Sequence, residues 1–375
     1  MSFLQELKPF LQENWRKAEF TDVTAIQEKA VLPILEGADV IAGSPTGTGK
    51  TLAYVLPLLH QIDETKKNAQ LVILAPSREL VMQIFDEIKK WSEGSSITSA
   101  AFIGGANIKR QLEKLKKSPQ VIVGTPGRIQ ELIKLKKLKM HHVKAIVLDE
   151  GDQLLAAEHK NTVNDIVKSS LNERQVVLFT ATLNVSTESK ARDLMKKDPI
   201  IVKVDREEIP VGQVDHLYLV CEQREKALML ERLAKNVRMK ALAFMKDIGN
   251  LNVLAEKLEY KDVDLHVLHS DTSKEEREAA LKNLRNEAQG LLLTTDVAAR
   301  GLDITGLTHV IHFDLPLNID QYIHRSGRTG RQGASGTVLS IVTEREVREL
   351  KKLTKEDNII VKKARLYRGE LVIEE

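Results

Sequence analysis

The amino-acid sequence predicts an α/β protein with two domains, each built on a parallel sheet flanked by helices. The chain has 375 residues, which is more than one ordinary α/β domain needs and enough for two. Short continuous apolar runs rich in β-branched residues alternate with helical stretches, a pattern typical of parallel sheets buried on both faces. Polar or Gly-rich turns follow these runs, where parallel sheets place their ligands.

Ten apolar runs are predicted to be strands, five in each half of the chain. They cover residues 40–42, 71–75, 121–124, 145–148 and 176–179, then 241–245, 265–268, 291–293, 310–313 and 338–342. The polar stretch 204–213 contains Pro210 and Gly212 and is predicted to be a linker. We therefore expect one domain over residues 1–207 and a second over residues 208–375.

The composition indicates the cellular environment of the protein but does not identify a binding partner. A single cysteine, Cys221, cannot form an internal disulfide, and the simplest expectation is a monomer in a reducing, cytoplasmic environment. The sequence has neither an apolar run of about 18 residues nor a secretion signal, so no membrane association is expected. Three basic runs, 109–117, 134–139 and 351–368, are interpreted first as solvated helix faces, because the net charge is only +3.

Residues 44–51 have the pattern of a phosphate-binding loop between the first strand and a helix, with Ser44 in place of the first glycine. Glycines in such a loop let backbone N–H groups approach phosphates, and the helix N-terminus adds partial positive charge. Lys50 is expected to reach the terminal phosphates, and the Thr51 hydroxyl to hold Mg²⁺. The expected nucleotide-binding residues of the loop are Thr46, Gly47, Thr48, Gly49, Lys50 and Thr51.

An acidic pair follows the strand predicted at 145–148. Asp149 is expected to fix Mg²⁺, and Glu150 to orient and deprotonate an attacking water. An Asp-Glu pair alone would usually be a solvated loop. Its place behind an apolar strand, in a chain with a phosphate loop, favours a catalytic role.

The phosphate loop together with Asp149-Glu150-Gly151-Asp152 resembles the DEAD-box helicase family, and the resemblance extends along nearly the whole chain. It implies two tandem RecA-like domains, with ATP and Mg²⁺ as cofactors. Residues 24–27 resemble the family's Q motif, in which Gln27 would read adenine and Phe20, or rather the upstream Phe3, would pack on the base.

The sequence departs from the usual family pattern at several positions. Gly151 stands where alanine is usual, and we expect it to loosen the backbone beside Glu150 and to affect the hydrolysis rate. Thr180 replaces a serine but keeps the hydroxyl. The remaining departures from common residues are Val23, Ala25 and Ser270.

Two further motifs lie in the second half. Residues 324–331 resemble motif VI, which implies that Arg328 and Arg331 are catalytic arginine fingers on the γ-phosphate, while His324 and Arg325 link neighbouring motifs. Residues 295–303 resemble motif V, which implies that Asp303 contacts the ribose of ATP and that the early residues, Thr295 and Asp296, face RNA.

Other predicted strands are followed by side chains and glycines that could contact a sugar-phosphate backbone. These segments resemble the helicase family's motif Ia, its paired glycine and its motif Ib. Aromatic residues are only 4% of the chain, so we expect contacts to phosphate and sugar and weak sequence preference. The residues themselves indicate a single strand of nucleic acid, and the resemblance implies RNA, as a single strand or short duplex. The expected contact residues are Pro76, Arg78, Gly104, Gly105, Thr125, Pro126 and Arg128.

The leading hypothesis is an RNA-stimulated ATPase that opens short duplexes or displaces bound proteins. An ATP-gated RNA clamp with little unwinding is the alternative, and a DNA helicase of a related group is a third. Within the leading hypothesis we expect a role in ribosome assembly, with pre-ribosomal particles as partners.

Overall fold

The computed structural model describes residues 3–18, 20, 22–45, 47–195, 198–204, 214–299, 304, 306–330, 334–355 and 357–374. The chain divides into two compact units, unit 1 over Met1–Ile209 and unit 2 over Pro210–Glu375. The sequence boundary expected at residue 208 falls in 205–213, which lies outside the described residues. In the described part of the chain, no helix has the length and apolar character to cross a membrane.

Unit 1 is built on a parallel sheet. The described strands are β1 (Val40–Gly43), β2 (Leu71–Leu74), β3 (Ser99–Phe102), β4 (Val121–Gly124), β5 (Ala145–Asp149), β6 (Gln175–Thr180) and β7 (Ile200–Lys203). They pair in the order β3-β4-β2-β5-β6-β1-β7, and every pairing is parallel. Both sheet faces are buried, which is why most of these strands are continuous apolar runs.

The helices of unit 1 connect successive strands and cover the two faces of the sheet. A short 3-10 helix (Phe3–Glu6) precedes them. The described helices are α1 (Pro9–Lys17), α2 (Ala25–Leu35), α3 (Lys50–Gln61), α4 (Arg78–Trp91), α5 (Ile108–Lys116), α6 (Pro126–Lys134), α7 (Gly151–Leu154), α8 (Lys160–Lys168) and α9 (Val185–Arg192).

Unit 2 repeats this architecture with an added antiparallel edge. Its described strands are β8 (Val214–Val220), β9 (Lys240–Met245), β10 (Leu265–Leu268), β11 (Gly290–Thr295), β12 (His309–His312), β13 (Gly336–Val342), β14 (Lys362–Tyr367) and β15 (Glu370–Ile373). Their order is β10-β11-β9-β12-β13-β8-β14-β15, and β14 and β15 form an antiparallel hairpin. The predicted fold class is confirmed, and this hairpin is the departure from all-parallel pairing.

Helices also flank the sheet of unit 2, and a short 3-10 helix (Gln223–Glu225) leads into the first of them. The described helices are α10 (Lys226–Asn236), α11 (Ile248–Glu259), α12 (Lys274–Asn286), α13 (Asp296–Ala299), α14 (Ile319–Ser326) and α15 (Glu344–Lys355). As in unit 1, the functional segments follow the carboxyl ends of the strands.

Candidate functional site

The phosphate loop of unit 1 begins where β1 ends and leads into α3. Gly47 and Gly49 have φ angles of 78° and 88°, in the left-handed region that glycine adopts without steric cost. A Cβ on Gly49 would also lie 2.6 Å from the Gln27 amide nitrogen. Glycine is therefore required at residue 49 by its backbone conformation and by the close approach of Gln27.

Hydrogen bonds inside the loop hold Lys50 and Thr48. The Lys50 ammonium donates to the carbonyls of Ser44 at 2.6 Å and Pro45 at 2.9 Å. The Ser44 and Thr48 hydroxyls lie 2.7 Å apart in the buried base of the loop. Ser44, which replaces a glycine of the usual pattern, thus supplies a bond that glycine could not make. Thr46 lies outside the described residues.

The Q-motif segment contacts this loop directly. Gln27 is buried; its side-chain oxygen accepts from the Thr24 backbone N–H at 3.0 Å, and its amide donates to the Gly49 carbonyl at 3.3 Å. The Thr24 hydroxyl is buried near Gly49 with no hydrogen-bond partner in the part of the chain that the structure describes. A polar atom left unsatisfied beside the loop fits a site that receives a polar ligand.

Phe20, or rather Phe3, was expected to pack on adenine, and the two rings differ in exposure. Phe3 is 4% exposed and packs edge-on against Trp15, with ring centroids 6.5 Å apart. Phe20 is 42% exposed and stacks against Trp91 at an interplanar angle of 17°. The buried Phe3 ring has less free surface than Phe20, and which of the two packs on adenine stays a prediction.

The carboxylate of Asp149 lies at the end of β5 and is buried. It accepts hydrogen bonds from the Tyr54 hydroxyl at 2.8 Å and the Glu150 backbone N–H at 2.9 Å. Burial raises its pKa to about 6 because the charged form loses its hydration. Tyr54 lies three residues after Thr51 in α3, so both residues expected to hold Mg²⁺ lie near one phenol. Such hard oxygen donors suit Mg²⁺, which keeps several waters or phosphate oxygens.

Tyr54 was missed by sequence reasoning, although its spacing gave a signal. It lies three residues after Thr51 in α3, and residues at that spacing share a helix face. Its pKa is raised well above the usual value, chiefly by burial and also by the neighbouring Asp149 carboxylate. The phenol is therefore a hydrogen-bond donor that fixes the orientation of Asp149.

We expect Tyr54→Phe to lower the free energy of unfolding of unit 1 by about 1–3 kcal/mol, because Asp149 loses a buried donor. Denaturant titration followed by tryptophan fluorescence measures this, since both tryptophans, Trp15 and Trp91, lie in unit 1. Ser186→Ala is the control, because it removes an exposed hydroxyl within the same unit. Equal stability of Tyr54→Phe and the parent would contradict the assigned hydrogen bond.

Glu150 has an unusual backbone. Its φ and ψ are both 53°, a left-handed conformation that is costly for a residue with a Cβ. The side chain accepts from the Gln153 amide at 2.9 Å. Strained conformations of this kind concentrate at functional sites, where surrounding contacts hold them.

Asp152 joins the acidic segment to the end of β6. Its two carboxylate oxygens accept from the hydroxyls of Thr180 at 2.7 Å and Thr182 at 3.2 Å. The Thr180 carbonyl in turn accepts from the Ser44 backbone N–H at 3.1 Å. The phosphate loop, the acidic segment and residues 180–182 are thereby connected through neighbouring strands, and Thr180 uses the hydroxyl that the usual serine would supply.

Gly151, the departure beside Glu150, has no left-handed φ and is packed against Leu178. A Cβ at residue 151 would lie 2.6 and 2.7 Å from the two methyl carbons of Leu178. The leucine thus occupies the space that an alanine methyl would need. The expectation that Gly151 loosens this segment needs revision, because a buried side chain covers the glycine.

We expect Gly151→Ala to lower the free energy of unfolding of unit 1 by about 1–3 kcal/mol through overpacking, and Leu178→Ala by about 2–5 kcal/mol through a cavity. In the double variant the new methyl fills part of the cavity, so the cost should be less than the sum by about 1–2 kcal/mol. Tryptophan-detected denaturation measures all three variants. Simple additivity would show that the two positions do not share this space.

The residues expected to contact RNA in unit 1 gather at the ends of β2, β3 and β4. The exposed Arg78 guanidinium covers Gly105, where a Cβ would lie 2.8 Å from its central carbon. The Gly104 N–H donates to the Thr125 hydroxyl at 3.3 Å. Pro76 is half-buried just before α4, and Pro126 is buried at the start of α6.

Arg128 has a different environment from Arg78. It is 8% exposed, donates to the Ala106 carbonyl at 3.1 Å and pairs with Glu131 at 3.0 Å. These bonds tie α6 to the loop that follows the paired glycines. Arg78 offers the more exposed guanidinium, while one Arg128 guanidinium nitrogen has no hydrogen-bond partner among the described residues, and a phosphate contact from either arginine stays a prediction.

In unit 2, Arg325 is buried and makes a bidentate ion pair with Asp296, at 2.6 and 2.7 Å, and donates to the Asp314 carbonyl at 2.7 Å. The linking role expected for Arg325 is confirmed. Asp296, expected at the RNA, instead has both carboxylate oxygens engaged by this guanidinium, and a carboxylate would also repel phosphates. Thr295, at the end of β11, is 6% exposed.

Arg328 follows α14 and is 8% exposed, with its Nε donating to the His324 carbonyl at 3.3 Å. The other two residues that the resemblance assigned to ATP in unit 2, Asp303 and Arg331, lie outside the described residues. Their roles stay predictions.

Comparisons with known proteins agree with this arrangement. A family model described as DEAD/DEAH box helicase matches residues 24–190, and one described as helicase conserved C-terminal domain matches residues 224–333. The chain is 52% identical over 369 residues to the probable ATP-dependent RNA helicase YfmL of Bacillus subtilis, covering 98% of each. It is 50% identical to the DEAD-box ATP-dependent RNA helicase CshC of Bacillus cereus, covering 98% of this chain and 94% of that one.

Among solved structures, Saccharomyces cerevisiae Dbp5 bound to RNA and ADP BeF3 is 29% identical, with a TM-score of 0.88 over 96% of this chain and 95% of that one. Its similarity agrees with a tandem RecA-like fold. The two family models together cover most of the chain, and the two relatives of similar length are at least 50% identical to it. The chain therefore belongs to the DEAD/DEAH box helicase family.

Proposed function

We propose that this chain, an ATP-dependent RNA helicase, hydrolyses ATP at the phosphate loop and the Asp149–Glu150 pair of unit 1. The observation that carries the proposal is the meeting of the loop, the acidic segment and Thr180–Thr182 at the ends of neighbouring strands, joined by Asp152. Lys50 and the loop N–H groups would bind the phosphates, and Gln27 the adenine.

In the proposed reaction, Glu150 accepts a proton from the attacking water while an oxygen–phosphorus bond forms and the bond to ADP breaks. Thr51 and Asp149 would hold Mg²⁺, which supplies charge neutralisation on the phosphates. Arg328 would stabilise negative charge on the transferring phosphoryl group, and Arg325 would keep the segment in place through Asp296.

RNA would bind through phosphate and sugar contacts from Arg78, the paired glycines and Thr125, with weak sequence preference. Unwinding of short duplexes or remodelling of RNA–protein complexes is the expected outcome. A role in ribosome assembly, with pre-ribosomal particles as partners, stays a prediction, as do the monomeric state and the cytoplasmic location. Crosslinking the protein to cellular RNA and sequencing the captured RNA tests the first of these.

The proposal is tested by measuring phosphate release with RNA, with DNA of the same sequence and without nucleic acid. We expect RNA, but not DNA, to stimulate phosphate release. Lys50→Ala should lower the RNA-stimulated rate by about 10²–10³-fold, because a charged phosphate ligand is removed. Lys67→Ala, at an exposed lysine elsewhere in unit 1, is the matched control. Parental rates in Lys50→Ala would show that the site is wrongly assigned.

The clamp hypothesis rested on Gly151, which the structure shows to be packed against Leu178. A fluorescent duplex-release assay separates it from the helicase. Strand release from the duplex that requires ATP supports unwinding. A duplex that stays intact while ATP keeps the protein bound to RNA would favour the clamp.

A further inference from the structure

A basic groove of unit 2 lies between α10 and the β14–β15 hairpin. It has a volume of about 850 Å³. Five cationic side chains line it, two from α10 and three from the hairpin: Arg232, Lys235, Lys363, Arg365 and Arg368. We call this feature the hairpin groove.

Two carboxylates, Glu344 and Glu374, also line the hairpin groove, and ion pairs use part of its charge. Glu374 pairs with Lys363 at 2.9 Å, and Lys235 pairs with Glu231 at 3.2 Å. Among the described residues, no carboxylate lies within ion-pair distance of Arg232, Arg365 or Arg368, although Glu374 also interacts with Arg365 at longer range. A concave surface with three such guanidinium groups attracts anions, and guanidinium matches phosphate geometry in particular.

An aromatic ring, which does not itself line the hairpin groove, lies beside two of these arginines. Tyr367 is 50% exposed, and the guanidinium carbons of Arg365 and Arg368 lie 5.5 and 5.3 Å from its ring centroid. Nucleic-acid bases stack on tyrosine rings and on arginine guanidinium planes, while the same arginines bind phosphates. The combination is suited to a single strand, whose bases are free to stack.

Because β-strand residues alternate between faces, Lys363, Arg365 and Tyr367 of β14 lie on the face opposite its core-facing residues. Ala364 and Leu366 of β14 pack into the apolar core of unit 2. Lys363, Arg365 and Tyr367, at the alternate positions, are exposed. The turn is anchored as well, since a Cβ on Gly369 would lie 3.0 Å from the Asn236 carbonyl at the end of α10.

The hairpin groove is far from the motif V segment of the same unit. Five strand spacings separate β11, which ends at Thr295, from β14. At about 4.8 Å per spacing this is about 24 Å. One nucleotide cannot reach both places, so the hairpin groove would be an independent contact on the same RNA molecule.

We propose that the hairpin groove is a second RNA-binding site, which binds single-stranded RNA through Arg232, Arg365 and Arg368 and stacks a base on Tyr367. This proposal rests on the proposed function, because it takes RNA as the substrate. The hairpin groove would add a contact with RNA that does not depend on ATP. The helicase would thereby retain its substrate between cycles of hydrolysis.

The test is the affinity of the full, nucleotide-free chain for a labelled single-stranded oligouridylate, measured by fluorescence anisotropy over a range of salt concentrations. Arg365→Ala/Arg368→Ala should weaken binding about tenfold and reduce the salt slope by about 1.4, since each phosphate contact on a single strand contributes about 0.7. Tyr367→Ala should weaken binding about tenfold, and Tyr367→Phe should bind as the parent does.

Lys257→Ala/Lys261→Ala removes the same charge at exposed residues around the end of α11 and should leave both quantities unchanged. RNA-stimulated phosphate release at saturating RNA should be parental in all these variants, which also shows that they fold. Parental affinity and salt slope in the double arginine variant would overturn the site. If the parent itself shows no RNA-stimulated phosphate release, the proposed function fails instead.

Discussion

Arg328→Ala should lower RNA-stimulated phosphate release by about 10³–10⁵-fold, the effect of removing an arginine finger in other phosphate-loop enzymes. The side chain would neutralise charge that develops on the phosphoryl group during transfer, so its loss affects the chemical step. Binding of a nonhydrolysable ATP analogue should change far less. Single-turnover phosphate release, with analogue binding measured separately, distinguishes the two effects.

Two variants serve as controls for Arg328. Arg328→Lys keeps the charge but lacks the planar fork, and it should recover only a small part of the rate. Arg345→Ala removes an arginine whose side chain is 88% exposed in the same unit and should leave the rate unchanged. Parental turnover in Arg328→Ala would remove this residue from the proposed site.

Glu150→Gln should reduce phosphate release by about 10²–10⁴-fold, because an amide cannot accept the proton of the attacking water. The amide has the same shape, and its oxygen can still accept from Gln153, so the surrounding loop should be preserved. The variant should therefore still bind ATP and should hold RNA longer than the parent. Phosphate release and the dissociation rate of labelled RNA measure the two outcomes.

Glu158→Gln is the matched control for this change, because its side chain is 80% exposed and lies in the same unit. Rapid loss of RNA from Glu150→Gln in the presence of ATP would indicate that the substitution disrupts nucleotide binding as well as chemistry. Hydrolysis at the parental rate would remove Glu150 from the role of general base.

The central strands could be predicted from sequence because they are buried on both faces. All ten predicted runs are strands in the structure, within one or two residues at their ends. The five described strands that were missed show less of that signal. β7 is apolar over Ile200–Val202, but it lies at a sheet edge and only Val202 is buried. β3 reads Ser99–Phe102 with two alanines, β8 contains Asp215 and His216, β14 begins with two lysines, and β15 is a four-residue edge strand with no buried residue. Their pairing comes from tertiary contacts.

The motif segments could likewise be located from sequence, since backbone conformation at a phosphate loop or strand end imposes particular residue types. Contacts between segments could not. The Tyr54–Asp149 bond joins residues 95 apart in sequence, and the Arg325–Asp296 pair joins residues 29 apart. Leu178, whose packing explains Gly151, looks in sequence like any other residue of an apolar strand. Such contacts depend on which strands become neighbours.

At Glu150, selection for stability and selection for catalytic activity favour different residues. Glycine would adopt a φ of 53° without the penalty of about 1–2 kcal/mol that a Cβ incurs. A library of this chain screened only for heat resistance would therefore tend to enrich glycine at residue 150 and discard the carboxylate. Directed evolution of a more thermostable enzyme from this chain therefore needs a screen for ATP hydrolysis at every round.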